Sequence, residues 1–152
     1  GGLAYALHCD VRIASETARF GSVFIKAGFS SMDMGTSYLL PKIVGAGVAR
    51  ELMLTGRIID AREADRINLV HEVVSPEKLM DAALEMARTI AANNAFGVWQ
   101  TKTGLNAALD APSLRHAKEV ENRTQVLTGF TNNPREAAMA HREKRAPHWD
   151  PL

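Results

Sequence analysis

One acid stands out by its neighbours. Asp33 lies in Ser30-Ser31-Met32-Asp33-Met34-Gly35-Thr36, a Ser/Gly turn just ahead of the apolar run Tyr38-Leu39-Leu40. A carboxylate flanked by two methionines is expected to lose water, which disfavours its charged form and suits it to take up protons. The same placement also fits a helix cap, where Asp accepts backbone N–H bonds and contributes about 1 kcal/mol. A second candidate is Gly1-Gly2, which opens an apolar helical stretch. Backbone N–H groups and the helix dipole there suit an anion or a carbonyl oxygen gaining charge, worth about 3 kcal/mol per donor in a dry site. Close packing of two backbones explains glycine there equally well.

Other constellations carry less. No Gly-x-Gly-x-x-Gly, phosphate loop or Gly-x-Ser-x-Gly elbow is present. His8, His71, His116, His141 and His148 lack metal-ligand spacing, so no metal is expected. His8 reads as a satisfied core residue on an apolar face. Cys9 reads as a small core residue rather than a nucleophile.

The 152 residues are 46% hydrophobic with a net charge of +1. That length suits one ordinary domain, and the charge gives no reason to expect nucleic acid. The basic group Arg142, Lys144 and Arg145 reads as a solvated helix face. A single cysteine suggests a reducing, cytoplasmic setting. No apolar window approaches the length of a membrane span. The chain starts without Met, on residues already assigned to a helix, and reads as the downstream part of a longer protein.

These groups must be carried by a small set of elements. Gly1–His8 reads as a buried helix, with short strands at Val11–Ala14 and Arg19–Gly21 and a turn from Gly28 to Asp33. Thr36–Val44 reads as a helix with Pro41 as a kink or boundary. Val48–Leu54 is a helix closed by Gly56, and Ile58-Ile59 is extended. Asp60 with Glu63 resembles a capping box. A strand, Leu69–Val74, precedes a helix begun by Ser75-Pro76, with Leu79, Ala83, Met86, Ala87 and Ile90 along its inner face. Helices follow at Phe96–Leu109, Ser113–Leu127 and Pro134–Arg145. A mixed α/β segment, residues 1–75, thus precedes an all-helical one, residues 76–152.

Several segments together resemble the enoyl-CoA hydratase/isomerase (crotonase) superfamily. They are Gly1-Gly2-Leu3-Ala4, Cys9 to Ala14, Ala18-Arg19-Phe20-Gly21, Leu39 to Gly45, Leu54-Thr55-Gly56-Arg57, Ala61 to Ala64, Leu69-Val70 and Glu143-Lys144-Arg145. The resemblance covers essentially the whole chain, as the C-terminal half or more of a family member. It implies a partial α/β spiral of ββα turns followed by a helical trimerisation region. It implies acyl-CoA thioesters as substrates, with coenzyme A as part of the substrate and no separate cofactor, and a homotrimer or hexamer. It also implies that Gly1 supplies one of two N–H donors to the thioester oxygen. The other lies upstream, so residues preceding Gly1 are expected to be needed for activity.

The departures are informative. The family's two hydratase glutamates fall on Ala4 and Phe24, neither of which transfers protons. Asp33 instead matches a position where dienoyl-CoA isomerases carry an acid and chlorobenzoyl-CoA dehalogenases a nucleophilic aspartate. The resemblance gives Gly2, Ala4, Phe24 and Met32 to the substrate pocket, with Phe24 lining the acyl site. It gives Lys144 to the CoA of a neighbouring subunit and His141 to the place of an aromatic beside the adenine. The expected activity is isomerisation with Asp33 as base. The rivals are an Asp33 nucleophile and a non-catalytic acyl-CoA-binding or assembly module.

Overall fold

The apolar positions Leu3, Ala4 and Leu7 recur on one helical face, and they fold as α1, Gly2–Leu7, in this computed structural model, which describes residues 1–151. The expected fully buried helix is one-sided instead: Ala4 and Leu7 are buried, whereas Tyr5 is 70% exposed. His8 and Cys9 follow the helix and are both exposed, so neither is a core residue. The apolar stripe ends at Leu7.

The strands are short. β1 (Ile13–Ser15) pairs in parallel with β4 (Glu72–Val74), and β2 (Arg19–Phe20) pairs antiparallel with β3 (Ile59–Asp60). The expected strand from Leu69 loses its first half to a helix end. Asn68 is left-handed at φ 59°, and Leu69 donates back to Ala64 at 2.8 Å. Residues closing a helix this way are not free to pair in a sheet. A 3₁₀ turn, Val23–Ala27, occupies a stretch with no sequence assignment.

α2 runs Thr36–Val44, as its apolar run suggests, and Pro41 lies inside it rather than at its end. Proline removes one N–H, here the donor to Ser37, without stopping the helix. α3 (Ala46–Thr55) ends on Gly56 at φ 58°. α4 (Ala61–Arg66) is capped by Asp60, whose Oδ1 accepts from the Glu63 amide at 2.8 Å. The reciprocal half of the box is missing, because the Glu63 carboxylate is bidentate to Arg57 at 2.8 Å on both oxygens. Leu7, Ala14, Leu40, Ala49, Leu52, Ile59, Ala64, Leu69 and Val70 form the core of this first unit, Gly1–Leu84. Leu40, Ile59 and Leu69 are almost wholly removed from water, at about 1.5–3 kcal/mol each.

After a 3₁₀ turn at Pro76–Lys78, α5 (Leu79–Ala91) has no buried residue. Of its expected inner face, Leu79, Ala83 and Met86 are half-buried, while Ala87 and Ile90 are exposed. The second unit, from Glu85 onward, holds α6 (Ala95–Leu109), α7 (Leu114–Gly129) and α8 (Asn133–Glu143). Asn94 and Ser113 cap α6 and α7 through the amides of Gly97 and His116. The tail returns to this unit: Trp149 donates to the Ala92 carbonyl at 2.7 Å, and the Asp150 amide donates to Asn133 at 3.0 Å.

Candidate active site

The turn carrying Asp33 is built by short polar bonds. Met32 donates to Ser30 Oγ at 2.9 Å, the Asp33 amide to the Ser31 carbonyl at 3.2 Å, and the Thr36 amide to the Asp33 carbonyl at 2.9 Å. Ser31 is buried, and its hydroxyl reaches the Met53 carbonyl on α3 at 3.0 Å. On the other side, Met34 and Gly35 both adopt positive φ, 45° and 77°. His8 Nε2 lies 3.2 Å from the Met34 carbonyl, joining the turn to the end of α1.

Asp33 does not cap α2. Gly35 holds the N-cap position, and no side chain accepts a capping bond there. Among the described residues the Asp33 carboxylate has no hydrogen-bond or ion-pair partner. The expected drying is also absent, since Asp33 is exposed. Its neighbours do not cover it, because Met32 is 71% and Met34 42% exposed. The result is an uncommitted carboxylate on an anchored backbone, beside exposed thioether side chains.

At α1, Gly1 occupies the N-cap and its carbonyl accepts from Tyr5 at 3.0 Å. A Cβ built on either Gly1 or Gly2 meets nothing within 4 Å. Close backbone packing therefore does not account for these glycines among the described residues. Ala4 is 4% exposed, on the buried side of α1. Phe24 sits half-buried in the 3₁₀ turn Val23–Ala27. Gly1, Gly2 and Ala4 thus share one helix, which His8 links to the Asp33–Met34 turn.

In the second unit, His141 and Lys144 lie on the last turn and end of α8, both exposed. Lys144 is left-handed, at φ 54° and ψ 39°. Arg145 beside it is not the solvated residue expected: its guanidinium pairs with Glu136 and, at 2.7 Å, with Glu143. Glu136 also accepts from the His148 amide at 2.7 Å. Arg145 and then that amide lower the Glu136 carboxyl from 4.5 to about 2. This clasp holds the chain on both sides of Lys144. A groove of about 480 Å³ in the same unit is lined by Leu105, Thr124 and Trp149 among others, and by none of the expected site residues.

Lys144→Gly separates backbone strain from charge. Glycine relieves the left-handed residue and raises thermal stability by about 1 kcal/mol. Lys144→Ala removes the same exposed charge but keeps a β-carbon, so it gains none of that stability. Thermal melts of the two variants check this; equal stability in both would mean that the left-handed backbone at Lys144 is not strained.

The model of the family described as enoyl-CoA hydratase/isomerase matches residues 1–151. A similar curated protein, from Mycobacterium tuberculosis, is named "Probable enoyl-CoA hydratase EchA12"; it is 41% identical over 148 residues, 97% of this chain and 52% of that protein. The chain spans about half the length of the curated relatives it matches. The crystal structure of an enoyl-CoA hydratase/isomerase from Cupriavidus metallidurans aligns with a TM-score of 0.89 at 35% identity, over 99% of this chain and 57% of that one. An enoyl-CoA hydratase from Bacillus anthracis aligns at 0.91 and 32% identity, over 94% and 55%.

Proposed function

This chain belongs to the enoyl-CoA hydratase/isomerase family and carries part of its α/β crotonase fold, and on that premise we propose that the full-length protein isomerises a double bond in an acyl-CoA thioester. The observation carrying this reading is the uncommitted Asp33 carboxylate on a turn anchored at both ends, in a chain with Ala4 and Phe24 where hydration needs two acids. The thioester carbonyl is polarised at the Gly1 end of α1, which acidifies the carbons conjugated with it. Asp33 removes a proton from one acyl carbon, the charge rests on the thioester oxygen, and the proton is returned two carbons along. No water is consumed and no other reactant is needed.

The exposed methionines gain a purpose in this scheme. An acyl chain laid over Met32 and Met34 excludes water from Asp33, and thioether side chains adapt readily to an apolar ligand. Desolvation then arrives with the substrate and raises the acid's proton affinity when it is needed. Exposed Leu105, Leu109, Leu127 and Phe130 on and beside α6 and α7 support self-association as a trimer or hexamer.

The full-length protein is incubated in heavy water with 2-enoyl- and 3-enoyl-CoA esters and the products are weighed. Migration of the double bond, read from the product's NMR spectrum, with no added water is the expected result, whether the shuttled proton is retained or exchanged for deuterium while on Asp33. Addition of water would restore the hydratase reading. A covalent adduct on Asp33 would make it a nucleophile. Tight binding without turnover across the panel would mark a binding or assembly module.

A further inference from the structure

We propose that His8 is a positioning residue for Asp33, holding the turn that carries the acid through the Met34 carbonyl. The inference rests on the reading of Asp33 as the proton carrier. Twenty-six residues separate His8 from Met34, yet Nε2 approaches the Met34 carbonyl to 3.2 Å. A carbonyl only accepts, so the ring nitrogen facing it is the protonated one.

The bond falls where the backbone most needs support. Met34 is a non-glycine residue at φ 45°, a conformation costing about 1–2 kcal/mol. Without an anchor it would relax and carry the adjoining Asp33 with it. Ser31 anchors the other side through the Met53 carbonyl at 3.0 Å, so Asp33 hangs between two side-chain-to-backbone ties. Gly35 belongs to the same device. A Cβ there would stand 3.3 Å from His8 Nε2, so the bare glycine gives the imidazole room. His8 itself need touch no substrate.

The test uses the full-length protein with an accepted acyl-CoA ester. His8→Ala is expected to lower kcat about 10- to 100-fold with KM changed less than about threefold, since a displacement near 1 Å can cost about 100-fold. His8→Gln, whose amide N–H can reach the same carbonyl, keeps kcat within about threefold of the parent. The double variant with Asp33→Asn is no slower than Asp33→Asn alone, because His8 acts only through the acid. Hydrogen exchange in the peptide spanning residues 31–39 speeds up in His8→Ala and not in His8→Gln.

The arms separate the two ideas. Full activity in Asp33→Asn overturns the function proposed for Asp33, while faster exchange in His8→Ala still supports the anchor. A slow Asp33→Asn beside a His8→Ala with parental kcat and exchange overturns the positioning role alone. If His8→Ala does not fold, His8→Gln decides: loss of kcat with a sound fold refutes the anchor.

Discussion

Asp33→Asn lowers turnover of an accepted acyl-CoA ester at least about 100-fold, the usual scale for a positioned acid–base group. The substitution keeps the side chain's size and its acceptor oxygen, and removes only the capacity to take a proton. Asp33 caps no helix and, among the described residues, has no side-chain partner, so the fold loses nothing with it. Thermal stability should therefore match the parent within about 0.5 kcal/mol, and KM should change little. Measured kcat, KM and melting temperature together check the claim. Equal loss of kcat and stability would give Asp33 a structural role instead. Unchanged turnover would remove it from the chemistry. A matching Phe24→Leu variant is a useful contrast: Phe24 is half-buried and bears no proton, so its change should act mainly on KM.

Different parts of this molecule were legible to different degrees, for physical reasons. α2 is legible to the residue because the apolar run Thr36–Val44 is long enough for a helix, and the structure sets Gly35 and Gly45 at its two ends. The start of α4 was equally plain, since Asp60 presents an oxygen to an amide three residues on. Such signals are local. The end of α4 depends on a left-handed Asn68, which its neighbours do not announce, so the strand expected from Leu69 begins only at Glu72. Burial at the end of α1 differs from expectation because His8 and Cys9 sit just past a stripe only three residues deep. The turn around Asp33 was visible as Ser and Gly, but its anchors come from residues 22 and 26 positions away from their partners. No spacing rule reaches that far. Dryness could not be read from flanking methionines, because an apolar neighbour shields only if it is itself covered. Arg145 looked like one more solvated cation, and its pairing with Glu136 depends on the chain reversing after α8.

Gly56→Ala tests the platform beneath the site and should destabilise the protein by about 2–4 kcal/mol, while Gly28→Ala costs only about 1–2 kcal/mol. Both glycines are left-handed, at φ 58° and 83°, so both variants carry the same kind of backbone penalty. They differ in space. A Cβ on Gly28 meets nothing within 4 Å, but one on Gly56 falls 2.7 Å from Ile25 Cγ2 and 3.1 Å from Lys26 Cγ. The unbranched Lys26 side chain can move aside, whereas Ile25 Cγ2 sits directly on its β-carbon, so relieving a 2.7 Å approach shifts the 3₁₀ turn Val23–Ala27 itself. That turn carries Phe24. It follows Ser22, whose carbonyl, with that of Met53, receives the Ser31 hydroxyl. Pushing it outward loosens one of the two ties on the Asp33 turn. The destabilised Gly56→Ala protein should therefore also lose kcat, measured well below its melting temperature, while Gly28→Ala keeps it. Equal stability losses in the two variants would mean that the contact with Ile25 relaxes freely. A normal kcat in Gly56→Ala, despite its lower stability, would uncouple the platform from the acid it supports.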